Sequence, residues 1–352
     1  MPRKLLGFLT VLILLFSCTM PVGAATAPTV NLNGNRLSFD VPPTIKDGRT
    51  LVPLRAIFES LGATVDWNAA TRTVRATKDD TVISLTIGEA NAYRNKAMLP
   101  LDVPAQILNG RTLVPLRFVS EAMGAKVEWN GTTRTIAITT FPVSRGFMEG
   151  EMVAQYSGEW LDGQPHGYGM IKYGDGVVYI GNFAQGDRQG RGILFFPDGS
   201  TYSGEFRFNI WNGEGTMMLP DGSRYMRTFQ NGEAYGPVTL LFTDGSKYVG
   251  QMNEDNMAQG YGTLSYPDGT VYQGNFLNGL MHGQGSIKFP HGTSYSGDFS
   301  NNMSHGNGTM IYPDGSRYVG QFEYNMAHGV GTLTQADGTK LEGIWREGQL
   351  VN

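Results

Sequence analysis

From Tyr156 onward the chain alternates apolar and polar residues with a period of two, and the alternation itself recurs on a fixed stride. Tyr272, Gly274 and Phe276 stand two apart and so share one strand face; after a turn, Gly285, Ile287 and Phe289 do the same on the returning strand. The leading Tyr recurs at Tyr156, Tyr179, Tyr202, Tyr225, Tyr248, Tyr272, Tyr295 and Tyr318, a step of 23 residues broken once by a step of 24, and Leu341 opens a truncated ninth copy. Pro197-Asp198-Gly199, Pro220-Asp221-Gly222, Pro267-Asp268-Gly269 and Pro313-Asp314-Gly315 are turn signals between copies. Each unit therefore predicts one hairpin, and a fixed period in this range predicts hairpins paired edge to edge in one long twisted sheet. The glycines are expected to leave room for rings of the neighbouring hairpin, where a Cβ would hold the layers apart. Three departures cluster in mid-array: Arg227 for a Gly, Val238 for a Gly and Met252 for an aromatic, beside the long step at Asn253 to Gln259. A kink, bulge or special surface there competes with simple drift, the preferred account. Leu341 to Trp345 is expected to cap the open edge, with Arg346 and Glu347 discouraging further pairing.

Residues 26–141 show a different pattern, a single duplication at an offset of 62. Gly48-Arg49-Thr50-Leu51-Val52-Pro53-Leu54-Arg55 returns unchanged as Gly110-Arg111-Thr112-Leu113-Val114-Pro115-Leu116-Arg117. Leu54, Ile57, Phe58 and Leu61, and again Leu116, Val119 and Met123, have helical spacing; Pro53 and Pro115 suit a helix start, Gly62 and Gly124 a stop. A hairpin follows each helix, with Trp67 or Trp129 on its first strand, and Thr81 to Ile87 alternates as a strand between the copies. For the indoles a core position is preferred over a partly exposed platform. The fold class expected is mainly β: a small duplicated α+β domain at 26–141, a linker and array start at 142–155, and an elongated single-sheet hairpin array at 156–352.

Two resemblances rest on these motifs. Gly-Arg-Thr-Leu-Val-Pro-Leu-Arg followed by Leu/Met-Gly-Ala and Val-acid-Trp resembles the copper amine oxidase N-terminal-like or stalk domain, common on secreted proteins of Gram-positive bacteria. It implies a module that displays or anchors other domains. Copper in such oxidases is held by histidines of a separate catalytic domain, and residues 26–141 contain neither His nor Cys, so no copper site of that type is expected. The Tyr-x-Gly-x-Phe/Trp unit with its His-Gly-x-Gly and Pro-Asp-Gly is similar to MORN repeats (membrane occupation and recognition nexus). That likeness allows both a lipid-binding role and a homodimer.

Charge narrows the partners. Residues 26–144 carry 13 Lys+Arg against 10 Asp+Glu, whereas residues 145–352 carry 12 against 21, a net of −9. Such an array repels anionic headgroups and nucleic acid, so neither an anionic membrane nor nucleic acid is an expected partner. The start, Arg3-Lys4 and then an apolar run from Leu5 to Phe16, has the form of a secretory signal peptide occupying residues 1–25. Cleavage near Ala25 is favoured over lipidation of Cys18, the single cysteine. The expected location is secreted or at the cell surface.

No nucleophile elbow, phosphate loop or His-Glu-x-x-His is present. His166, His282, His305 and His328 obey the repeat, about 10 Å apart, which disfavours a shared metal. The Asp column from Asp175 to Asp337 has turn-forming work that competes with calcium. No enzyme and no cofactor is therefore expected. The function expected is a binding or scaffolding protein that meets a cell-wall polymer or a surface protein or glycan, with a lipid-binding protein and a self-assembling dimer as alternatives. The candidate contact residues are Arg55, Arg117, Tyr272, Phe276, Tyr295, Phe299, Tyr318 and Phe322. For the two arginines, anion recognition competes with pairing to Glu59 and Glu121.

Overall fold

The computed structural model describes residues 27–142, 145–149 and 152–351. The proposed leader, with Cys18 and Ala25, lies outside them. The described chain is mainly β, with two short helices, both in the first domain.

In that domain the duplicated motif pairs with itself. Arg49–Pro53 and Arg111–Pro115 run antiparallel with Val52 opposite Val114, so a pseudo-twofold axis passes between the two valines. The outer strands Thr44–Lys46 and Gln106–Leu108 complete a symmetric four-stranded sheet. Each copy then turns directly into a helix, α1 (Leu54–Ser60) and α2 (Leu116–Ala122), with the proline at the N-cap and a left-handed glycine, Gly62 or Gly124, ending it. The helices bury Leu54, Ile57 and Phe58 and their counterparts Leu116 and Val119 in one core.

The symmetry stops at the hairpins. The first, Thr64–Asn68 with Thr73–Lys78, extends into a five-stranded meander. In the second, Thr135–Thr139 pairs in parallel with the N-terminal strand Thr29–Leu32.

The array is one continuous antiparallel sheet of 19 strands in sequence order. It begins within the 142–155 segment, where Arg145–Glu149 pairs with Met152–Leu161. The hairpin unit is set by two turns. At its tip, two residues with positive φ, such as Asn278 and Gly279, reverse the chain with the twist that the strands favour. At its base, the Asp of Pro-Asp-Gly accepts the N–H of the residue two on, as Asp198 does from Ser200 and Asp268 from Thr270, both at 2.8 Å. The base Asp thus does its expected turn work.

Two expectations about the unit need correction. The ring over the glycine pair belongs to the unit's own Tyr, not to its neighbour. Tyr272 lies across Gly274 and Gly285 and donates its hydroxyl to the Asn275 carbonyl at 2.8 Å; a Cβ on Gly274 would sit 2.5 Å from that hydroxyl and from the Gly285 Cα. The β-bulge, moreover, is not a mid-array peculiarity. The register shifts just after the first Gly in seven hairpins and across Arg227 in the eighth, and in the glycine-bearing units this lets the strand dip and the Tyr ring lie on the pair. The extra residue of the long step is absorbed in the tip Asn253 to Met257, where Asn253 Oδ1 accepts the Met257 N–H at 2.9 Å.

The mid-array departures do mark a discontinuity. Rings zigzag from Tyr156 through Phe183, Tyr179 and Phe206 to Tyr202, and again from Tyr248 through Phe276, Tyr272 and Phe299 to Trp345, edge to face at about 5 Å. Between the two runs Arg227 fills the glycine slot, so Tyr225 has no flat bed and the apolar spine divides into two clusters. Arg227 instead reaches Met252 Sδ and Asn256 Oδ1, each at 3.3 Å. At the C-terminal edge Lys340–Arg346 is followed by Gln349–Leu350, so the last described strand pair is short.

The first domain is docked on the array. Val178, Ile180 and Phe195, on the face opposite the tyrosines, are at most 7% exposed and share one core with the two helices. Arg94, 5% exposed, seals this seam: its Nε donates to the Ala122 carbonyl at 3.1 Å and its guanidinium lies 4.7 Å from the Phe195 ring centre. Lys126–Glu159 at 2.9 Å and Lys172–Asp80 are ion pairs across the rim.

Candidate functional site

The six candidate aromatics are not a contact surface. Tyr272, Phe276, Tyr295, Phe299, Tyr318 and Phe322 are 0–5% exposed and form the spine just described. The period-two pattern places them on one face, but their own glycine beds and the next hairpin's rings cover that face. Burial pushes their hydroxyls up, Tyr272 to about 12, so these tyrosines stay neutral.

Arg55 and Arg117 do remain at the surface, 59% and 62% exposed, each facing a carboxylate one helical turn on: Arg55 Nη1 to Glu59 at 3.1 Å and Arg117 Nε to Glu121 at 3.8 Å. Such pairs contribute little to stability. Arg49 and Arg111 pair with Asp102 and Asp40 instead, and Arg111 holds the Asp40 carboxyl below its ordinary value. Glu121 is pushed the other way, to about 7, because burial disfavours its charge and Arg117 only partly offsets this. The array's Tyr168 lies near it.

Trp67 and Trp129, expected in the core, are each 44% exposed. Each stands one residue from its hairpin turn, opposite the core residue Val74 or Ile136, at the end of the core-facing side. Around Trp129 a shallow depression is lined by Glu128, Asn130, Thr133 and Thr135.

The histidine column is dispersed as its spacing requires. His328 Nε2 faces Glu323 at 3.4 Å and His305 lies against the Tyr324 ring, while the Nδ1 atoms of His166 and His282 are buried without a protein partner. Among the described residues no group of three or more His, Cys, Asp or Glu converges as a metal site.

A second concave surface lies on the tyrosine face near the C-terminal end. It is a trough of about 650 Å³. Tyr318, Phe322, Leu333 and Trp345 floor it, the base turn Tyr312-Pro313-Asp314 forms one wall, and Asn325 and Met326 of a tip turn form the other.

Residues missed from sequence are those of the seam. Val178, Ile180 and Phe195 occupy slots that are not all apolar in later units: Ser294 and Ser296 flank Tyr295, and Lys288 pairs with Val271 beside Tyr272. Three apolar residues in these slots of one unit were the available signal.

An open sheet of stacked hairpins with a small α+β domain laid on its first units defines a repeat-scaffold class of protein. Residues 31–138 match the family model for the copper amine oxidase N-terminal domain. Segments 156–178, 179–201, 202–224, 248–271, 272–294, 295–317 and 318–340 match the MORN repeat. The chain is thus a copper amine oxidase N-terminal domain followed by MORN repeats. Residues 225–247, which carry Arg227 and Val238, fall outside the matched segments yet form a hairpin of the same sheet.

A curated relative described as "Protease inhibitor" from Brevibacillus choshinensis is 33% identical over 125 residues, 34% of this chain and 38% of that protein. The chain therefore spans well under two thirds of that relative's length. Among solved structures, a streptogramin B lyase (11% identity, 81% of this chain and 83% of that one) and virginiamycin B lyase from Staphylococcus aureus (9% identity, 80% and 83%) both align at a TM-score of 0.13. Likeness at that level carries no argument.

Proposed function

We propose that this protein is a non-enzymatic scaffold outside the cytoplasm, in which the first domain meets an anionic cell-wall polymer and the array presents a long sheet to a protein or glycan. The observation that carries this is how the repeated groups are used. The tyrosines lie on glycines and the base aspartates close turns. The recurring residues therefore build a platform. The seam covers the outer face only over the first hairpins, so most of the sheet is left to partners. Exposed Arg55 and Arg117 on a domain of net positive charge support the wall-facing assignment.

The test is sedimentation of the full chain with purified Gram-positive cell wall and with anionic vesicles, at low and moderate salt. Binding to wall that weakens with salt and drops in Arg55→Ala/Arg117→Ala is expected. Pelleting with vesicles but not wall would replace this assignment with a lipid-binding one.

One observation favours a second role in self-association. Val330 and Ile344 pair across neighbouring strands, and Val351 follows beside Ile344; they are 68%, 51% and 49% exposed. Analytical ultracentrifugation over a range of concentrations tests it, with Ile344→Lys expected to shift any dimer to monomer.

A further inference from the structure

Along one side of the array the residue that opens each base turn is aromatic in six units: Tyr173, Phe196, Phe242, Tyr266, Phe289 and Tyr312. From Phe242 onward the turns share one geometry, the aromatic N–H donating to the carbonyl four residues on (Ser246, Thr270, Thr293, Ser316) at 2.8 to 2.9 Å. The rings therefore form a regular column.

This column is separate from the buried spine. Phe242, Tyr266 and Tyr312 are 40%, 37% and 37% exposed, and Tyr312 stands in the wall of the trough over Tyr318 and Phe322. The first domain covers only the beginning of this side: Lys96 lies against Gly199 and Met98 against Gly222, whereas the turns from Phe242 onward are beyond it.

Two features select an occupant. The first is period. Successive rings are two strand spacings apart, about 9.4 to 9.8 Å. A polyproline II helix advances about 3.1 Å per residue with three residues per turn, about 9.3 Å. Every third residue of such a segment meets an equivalent gap between rings, and the mismatch over the three steps from Phe242 to Tyr312 is on the order of 1 Å. Aromatic-lined grooves suit this conformation because it is already ordered before binding.

The second feature is charge. Asp244, Asp268 and Asp314 each stand two residues beyond a ring of the column, His291 taking that place after Phe289, and one carboxylate oxygen of each Asp is held by its own turn's N–H, fixing the charge beside the column; Asp314 also lines the trough. Burial raises the Tyr266 hydroxyl above its ordinary value, and the nearby Asp244 and Asp268 carboxylates add to this. The array as a whole is acidic, so a cationic ligand is matched and an anionic one repelled.

We propose that the base-turn column from Phe242 to Tyr312, which ends at the trough, docks an extended, proline-rich, basic segment of a partner protein. This rests on the array being a contact surface, but not on wall binding by the first domain.

The experiment uses the full chain and labelled synthetic peptides of equal length in fluorescence anisotropy: Pro-Pro-Lys triplets, Gly-Gly-Lys triplets and Pro-Pro-Glu triplets. The Pro-Pro-Lys peptide is expected to bind at least roughly tenfold more tightly than Gly-Gly-Lys, with Pro-Pro-Glu weaker still. Tyr266→Ala/Tyr312→Ala is expected to weaken binding by roughly tenfold, with an unchanged melting profile because these rings are part exposed. Asp268→Asn/Asp314→Asn keeps the acceptor that closes each turn and removes the charge, so it is expected to weaken binding at low salt and flatten the salt dependence.

Equal binding of the proline and glycine peptides would reduce the effect to net charge and overturn the proposal, as would no binding. Saturable binding of a chito-oligosaccharide that is lost in the tyrosine double variant would also overturn it, by making the column a glycan site. Wall sedimentation that persists while peptide binding fails rejects this inference alone.

Discussion

The first domain and the array both arise from sequence repetition, and they use it in opposite ways. In the first domain two copies face each other across Val52 and Val114, so each buries its helix and strand against its twin and the assembly closes. In the array each copy follows the last by translation, so every hairpin has two neighbours and the sheet has no natural end. Closure concentrates apolar burial in one core of aliphatic residues around Phe58, whereas translation spreads it along a ribbon of rings and glycines. The two regions should therefore fail differently, one as a unit and the other locally.

The largest expected effect tests the closed region. Phe58 is fully buried, and Phe58→Ala is expected to cost about 3–5 kcal/mol, read by denaturant titration followed in the first domain. Retention of that domain's transition would show that the core is not cooperative.

Gly274→Ala tests the open region. The new Cβ would meet the Gly285 backbone, which cannot step aside as a flexible side chain could, for a cost of about 1–3 kcal/mol. Hydrogen exchange should quicken in residues 271–288 and the adjoining hairpins but not in residues 31–138. Uniform quickening would erase the contrast between the regions.

A smaller effect lies at the seam. The Glu121 carboxyl has a folded value of about 7, above its ordinary 4.5, so the folded state favours its protonated form. The stabilisation is complete below about 4.5 and is lost as pH rises through about 7. The side chain keeps 36% of its surface, so water screens part of this. Melting temperature should decline modestly from pH 5 to pH 8 in the parent, and Glu121→Gln should remove that decline; an identical slope in both would exclude Glu121 as the source.

The smallest effect is at the rim. Lys172→Ala removes an exposed pair with Asp80 and is expected to cost about 0.2–1 kcal/mol in a double-mutant cycle with Asp80→Ala. A larger coupling would make the rim, rather than Phe195 and Ile180, the main fastening between the two regions.

Much of the molecule was legible in the residues. The stride of the tyrosines gave the hairpins, Pro-Asp-Gly gave the turns between them, and the repeated Gly-Arg-Thr-Leu-Val-Pro-Leu-Arg gave the duplicated domain with its helix starts and stops. Pairing of Arg55 with Glu59 and of Arg117 with Glu121 followed from helical spacing. Arg227, Val238 and Met252 marked the unit where the ring spine divides, though not the reason, which is that an arginine removes the bed a tyrosine needs.

What the sequence determined by itself was periodicity, because strand alternation and turn chemistry act between residues close along the chain. Which face is covered depends on groups brought from elsewhere, and only the tertiary structure decided it. Alternation put Tyr272 and Phe276 on one side, but the bulge that lowers each ring onto its glycines, and the next unit's ring above it, turned that side into the interior. Trp67 and Trp129 looked like core residues, yet they lie beyond the reach of the helices and stay exposed. Val178, Ile180 and Phe195 were all three apolar in one unit, whereas later units mix polar and apolar residues in these slots; they became buried only because a domain encoded well upstream folds back onto them.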